Sequence, residues 1–285
     1  MNEAMDEAAA DSGGAVAALQ TFVATVEHLP LFTGMAAQLI RSVDREDIGA
    51  PELAKMIAGD PALVVHLLRI VNSPFYGLSR RIGTVTEAVS VLGLDLIRRT
   101  VTVAVLQRPL FAYLHDTAVA REFWKHELLT AALSRHLALR AGIAGELTYM
   151  AGLLHDVGRL VMLTQYPDQA DVLLRQRGRD DDAVVAEEHA AFGFTHAQVG
   201  AALLELWGLP EGIVQAAHQH VDETEPEDPI AAAVWRANLV SHEFVDDFHD
   251  RPDDGDLAWM EPIGLDRDGC RSMLEEIRAL GADTA

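Results

Sequence analysis

The chain has one cysteine, Cys270, among its 285 residues, so it can form no internal disulfide. That fits a reducing, cytoplasmic setting. It has no uncharged apolar run of the roughly 18 residues a membrane helix needs. Its start, MNEAMDEAAADSGGA, has no basic segment followed by an apolar one and so does not read as a secretion signal. Positive charge is scarce: 22 basic residues, only two of them lysine, stand against 44 acidic ones, for a net charge of −22. A chain so acidic is a poor nonspecific ligand for nucleic acid. Also lacking are visible internal repeats and any series of alternating strands separated by hairpin turns.

What is present is helical nearly throughout. Pro61 sits where a first helical residue belongs, after Asp60 as N-cap, and LPEG starts another helix near Pro210. Gly93 and Gly208 read as helix stops. About a dozen helices joined by short links predict an all-α fold. Residues 1–14 form an acidic tail, 15–115 a first helical lobe, 116–248 a second lobe, and 249–285 a polar link with a last helix. Charge is uneven. Arg41–Pro109 holds nine basic and seven acidic residues, whereas the chain from Leu110 onward holds 13 basic and 32 acidic. An acidic partner would suit the first half better than the second, although a solvated surface explains the same numbers.

The segment AGLLHDVGRL, Ala151–Leu160, places His155 beside Asp156 in an apolar helix. A buried carboxylate needs a partner. Residues three, four and seven apart share a helical face. By that test His126 lies with Phe123, Thr130, Leu133 and Leu137. His196 lies with Val199, Gly200, Leu203 and Trp207, and His220 with Ile213 and Ala217, while His218 points outward. On the central helix Thr148, Gly152, His155, Asp156 and Arg159 form one polar sector, in which Gly152 allows a close approach. Three helices thus turn a histidine inward and a fourth carries His-Asp, which predicts convergence at one pocket. Imidazole and carboxylate bind divalent Mn, Fe, Co, Ni or Zn. Such an ion would lower the pKa of a bound water. Arg159 is either a phosphate contact or an (i, i+3) partner of Asp156.

His126 followed by His155-Asp156 resembles the metal motif of the HD phosphohydrolase superfamily. DPALVVHLLRIVNSPFYG, TVTEAVSVLG, FWKHELLTAAL, YMAGLLHDVGRLVM and HAQVGAALLELWGLPEGIVQAAHQH resemble, in order, the two lobes of the HDOD domain, the HD-related output domain. The resemblance implies a multi-helix fold in which an N-terminal helical lobe packs on an HD-type lobe. It also implies a bacterial signal-transduction or regulatory role exercised by binding a signalling protein or a small ligand, without hydrolase activity and with room for a homo-oligomer; the charge and the lack of an apolar span argue against nucleic-acid and membrane partners. The alternative is a metal-dependent phosphohydrolase of a nucleotide-like phosphoester. The active HD-GYP relatives carry Gly-Tyr-Pro, which this chain lacks. Their adjacent histidines read His220-Val221 here, and their late aspartate falls at Asn238. The candidate metal ligands are His126, His155, Asp156, His196, His220 and, one turn after Asn238, His242. They would hold one divalent transition metal (Zn, Mn, Fe or Ni). Asn72, Ser73 and Pro74 read as a helix end and turn, and as candidates for pinning the lobes or meeting a partner.

Overall fold

The structure is a computed structural model that describes residues 17–25, 49–59, 61–72, 78, 80–94, 96–97, 100–101, 117–169, 181–244 and 273. Residues 17–25 are helical. The helices that follow are α1 (Ala50–Ala58), α2 (Pro61–Val71), α3 (Val85–Leu92), α4 (Thr117–Ala141), α5 (Gly145–Leu154), α6 (Val157–Gln165), α7 (Asp181–Phe192), α8 (His196–Leu206), α9 (Glu211–Gln219) and α10 (Pro229–Phe244). Among the described residues there is no strand, in keeping with the all-α expectation. Pro61 opens α2, and Gly93 and Gly208 end their helices at φ +86° and +70°, where a side chain would be strained. Asp60, Ser73 and Pro74 lie outside the described residues.

Buried apolar side chains fall into two sets. Leu53, Ile57, Leu63, Leu67, Val71, Ile82, Val89, Ile97 and Val101 form the first, around α1, α2 and α3. The second is larger and joins α4, α5, α6, α8, α9 and α10 through residues such as Phe123, Trp124, Leu133, Met150, Val161, Leu203, Ile213 and Val234. Phe22 belongs to this second set: its ring lies 5.8 Å from Tyr166 and 5.1 Å from Phe194. Asn72 works inside the first. Its Nδ2 donates to the carbonyls of Leu68 (2.6 Å) and Ile82 (2.9 Å), and its Oδ1 accepts from the Ile82 amide (2.7 Å). The side chain thus fastens the end of α2 to the segment leading into α3.

Two glycines set the spacing of the second set. A Cβ on Gly152 would lie 2.8 Å from the Cα of Ala131, so α5 crosses α4 almost in backbone contact. A Cβ on Gly158 would lie 1.9 Å from the carbonyl oxygen of His196, so α6 meets the start of α8 still more closely. These crossings bring His155 towards His126, and Asp156 and Arg159 towards His196.

Candidate functional site

One sequence expectation changes here. The central helix is not continuous: α5 ends at Leu154 and α6 begins at Val157. Asp156 has φ −99° and ψ 14°, in the sparsely populated bridge region. His155 and Asp156 therefore occupy a turn between two helices, and the turn aims both side chains at one centre. Neither residue breaks helices by propensity, so local sequence carried no sign of the interruption.

His126, His155, Asp156, Arg159, His196 and His220 are all at most 2% exposed. His126 Nε2 and His155 Nε2 are 3.2 Å apart. Asp156 Oδ1 lies 3.0 Å from Arg159 Nε, 3.1 Å from His196 Nε2 and 3.2 Å from His220 Nε2. Asp156 Oδ2 faces His155 Nε2 at 3.8 Å. His196 Nε2 and His220 Nε2 are 3.0 Å apart, and Arg159 Nη2 is 3.4 Å from His196 Nε2. Of the two roles weighed for Arg159, the geometry shows the (i, i+3) pair with Asp156. His218 is exposed. His242 is half-buried with its ring 4.5 Å from that of His126, and it is not among the clustered donor atoms.

The outer nitrogens fix the tautomers. His155 Nδ1 donates to the Gly152 carbonyl at 2.7 Å, and His220 Nδ1 donates to the Ala217 carbonyl at 3.0 Å. His155, held neutral by burial, then turns a lone pair on Nε2 into the cluster. His196 has a carboxylate behind it: Glu188 Oε2 accepts from its Nδ1 at 2.7 Å and from its backbone amide at 2.9 Å. A capping box in which Thr195 and Gln198 exchange hydrogen bonds fixes the start of α8 and hence His196. His126 Nδ1 is 3.1 Å from Ser241 Oγ, which also meets Thr130 Oγ1 at 2.7 Å and donates to the Asn238 carbonyl. Asn238, buried, extends Nδ2 to the His220 carbonyl at 3.3 Å.

Two buried glutamates were not anticipated. Glu188 supports His196, and Glu127 Oε2 lies 3.5 Å from His155 Nδ1. Glu127 follows the inward-facing His126 directly, so the three-and-four rule gave it no place in the cluster. Glu188 stands on a weakly amphipathic helix, DDAVVAEEHAAF, whose pattern does not single out an inner face.

The protonation pattern follows from burial and charge. Burial holds His126 well below the usual imidazole range, aided by its histidine neighbours. Burial also takes His155 down to about 3 despite the pull of Asp156. Burial, then the nearby Asp156 charge, pushes Glu127 well above the carboxylate range. Burial works against the ionised form of Asp156, but Arg159, His155 and His196 overcome it and hold the group well below its usual value. Burial and Arg159 oppose a charge on His196, yet Glu188 and Asp156 outweigh them and raise it to about 9. Glu188 is lowered by His196 against its own burial. Two anions, Asp156 and Glu188, are therefore matched by two cations, Arg159 and protonated His196.

The donor set also fits a divalent transition metal. Ligand atoms of His126, Glu127, His155 and Asp156 lie within 4.8 Å of one another, as do those of Asp156, His196 and His220. With metal–nitrogen bonds of ~2.0–2.1 Å, neighbouring ligand atoms sit roughly 3 Å apart, close to the separations seen here. Histidines whose far nitrogens donate to a carbonyl or carboxylate are the usual form of metal-binding imidazole.

Comparison with known proteins places this architecture. A protein of Treponema pallidum (strain Nichols), itself uncharacterised, is 25% identical over 220 residues, which is 75% of this chain. The chain spans 42% of that relative's length. An HDOD domain protein of unknown function from Geobacter sulfurreducens superposes with a TM-score of 0.65 at 22% identity, over 96% of this chain and 99% of its own. A Marinobacter aquaeolei VT8 protein provisionally assigned to signal transduction gives a TM-score of 0.67 at 24% identity, over 97% of this chain and 65% of its own. A Shewanella amazonensis SB2B protein provisionally described as a phosphohydrolase gives 0.65 at 24% identity, over 94% and 98%. These likenesses share the all-helical fold. The HDOD domain model matches residues 29–223, more than half of the sequence, and the chain belongs to the HDOD domain family.

Proposed function

We propose that the chain is a bacterial, cytoplasmic regulatory module that acts by binding a signalling protein or a small ligand and does not hydrolyse phosphoesters. The observation that carries this reading is the burial of the whole His-Asp cluster: none of its six central residues is more than 2% exposed. A phosphoester must reach a metal and its water to be cleaved, and the residues that would hold them are buried among several helices. On this reading residues 15–115 and 116–248 act as two lobes, each with its own apolar set, and Phe22 ties the N-terminal segment to the second. The donor cluster takes a divalent transition ion as a fastening between helices. The assignment of the Marinobacter protein to signal transduction agrees with this role.

The convergence of metal-donor atoms favours one other reading, a metal-dependent phosphohydrolase in which Arg159 contacts phosphate. The description of the Shewanella protein points the same way. The test is hydrolysis of cyclic di-GMP and of a chromogenic phosphodiester in added Mn or Fe, by wild type and by a His155→Ala, Asp156→Ala double variant. Equal rates are expected. Turnover that vanishes in the double variant would replace the regulatory reading with the hydrolase.

A further inference from the structure

Asp156 divides its two oxygens between two donor sets. Oδ2 faces His155, whose Nε2 is 3.2 Å from that of His126, with Glu127 in the same set. Oδ1 faces His196 and His220 at 3.1 and 3.2 Å. The only residue common to both sets is Asp156. Arg159 lies against the second: its Nε is 3.0 Å from Oδ1 and its Nη2 is 3.4 Å from His196 Nε2. A guanidinium keeps its charge in a protein.

We infer that Arg159 is a built-in cation standing in for a second metal ion, so that the cluster binds one divalent ion, on the His126–His155 side of Asp156, rather than two. The inference rests on the reading above that the cluster takes a divalent ion. An ion bonded to Asp156 Oδ1, His196 and His220 would sit within about 5 Å of the Arg159 guanidinium, one metal–oxygen bond plus the Arg159–Asp156 contact. Both charges would be buried, where neither salt nor water screens them. The second set also lacks a further donor, because the residue after His220 is Val221. The first set contains Glu127, which is 2% exposed and whose Oε1 makes no hydrogen bond among the described residues. Its Oε2 stands 3.5 Å from His155 Nδ1, which puts a carboxyl beside the first set where Asn238 offers only an amide. His242, the candidate one turn after Asn238, has its ring tilted against that of His126 at 4.5 Å, and its nitrogens stand outside the donor set.

The test counts metal. Untagged full-length protein is stripped with a chelator and titrated with MnCl2, with bound Mn read by elemental analysis and by electron paramagnetic resonance. Wild type should saturate at one Mn per chain with a mononuclear six-line signal. Arg159→Met should accept two, with the broadened signal of a coupled pair, and Arg159→Lys should return to one. His126→Ala should lose far more affinity than His220→Ala, whose loss should stay within the roughly 10–100-fold of an outer-sphere residue. Two Mn in wild type, one Mn in folded Arg159→Met, or a loss in His220→Ala matching that in His126→Ala would each overturn the inference. Should Arg159→Met fail to fold, the wild-type count and the two histidine variants still decide it. No Mn in wild type would overturn it together with the metal reading, whereas one Mn in both wild type and Arg159→Met would overturn it alone.

Discussion

Replacing Asp156 with alanine tests how the cluster is held together. The carboxylate is 1% exposed and meets Arg159, His196 and His220 at 3.0, 3.1 and 3.2 Å. Its removal strands the Arg159 charge in the core and takes away one of the two carboxylates that keep His196 protonated. Removing one partner of a buried ion pair costs about 3–5 kcal/mol. At about 2–4 °C per kcal/mol for a domain of this size, the melting temperature should fall by roughly 6–20 °C. That is a large part of an ordinary stability of about 5–15 kcal/mol. Urea titration and calorimetry on chelator-treated protein give the number without a contribution from bound metal. Replacing both partners, as Asp156→Ala with Arg159→Met, removes the stranded charge and should recover at least about 1 kcal/mol relative to simple addition. A single variant within about 1 kcal/mol of wild type, or a double variant that is merely additive, would refute the claim that Arg159 and Asp156 neutralise one another in a closed core.

Three further predictions concern the cluster and the helix crossing beside it. His155 is neutral in the fold, with its pKa lowered to about 3, while an unfolded histidine takes up a proton near pH 6.5. The unfolded chain then binds more protons, and stability should fall as pH drops from about 6.5 towards 3, at up to ~1.4 kcal/mol per pH unit for this group. His196 has the opposite sign. Its pKa is raised to about 9, so its contribution is complete below about pH 6.5 and is lost as pH rises through 9. Urea midpoints measured from pH 4 to 10 should peak near neutrality, and His196→Gln should flatten the alkaline limb; an alkaline limb unchanged in that variant would contradict the assignment. Gly158→Ala should cost at least roughly 1–3 kcal/mol, because its Cβ would stand 1.9 Å from the His196 carbonyl, and denaturant titration should show that loss.

The parts of this site that the sequence displayed are those governed by helical period. His126, His196 and His220 share faces with Leu133, Leu203 and Ile213, which are all fully buried, and an inward histidine on such a face is visible in one dimension. Gly152 announced a close crossing, and α4 passes there. The parts that stayed hidden depend on neighbours distant in sequence. Glu127 and Glu188 look like ordinary surface acids until the helices are assembled, and each is then found behind a histidine. The interruption at His155-Asp156 is a tertiary demand on two residues that would otherwise continue a helix. Asn72 read first as a helix end and turn and second as a pin between lobes; its contacts with Leu68 and Ile82 stay within the first apolar set.

The near-contact between Gly158 and the start of α8 makes α6 and α8 a single lever. With the backbones touching, neither helix can slide or tilt by an ångström without carrying the other. Asp156 and Arg159 ride at the head of α6 and His196 at the head of α8, so a push on either helix displaces donor and acceptor together and leaves their mutual distances intact. Strain would instead accumulate at the seams with α4 and α9, between His155 and His126 on one side and between His196 and His220 on the other. Motion reaching the cluster is thus sorted into a component that leaves it unchanged and a component that opens it along one of two lines.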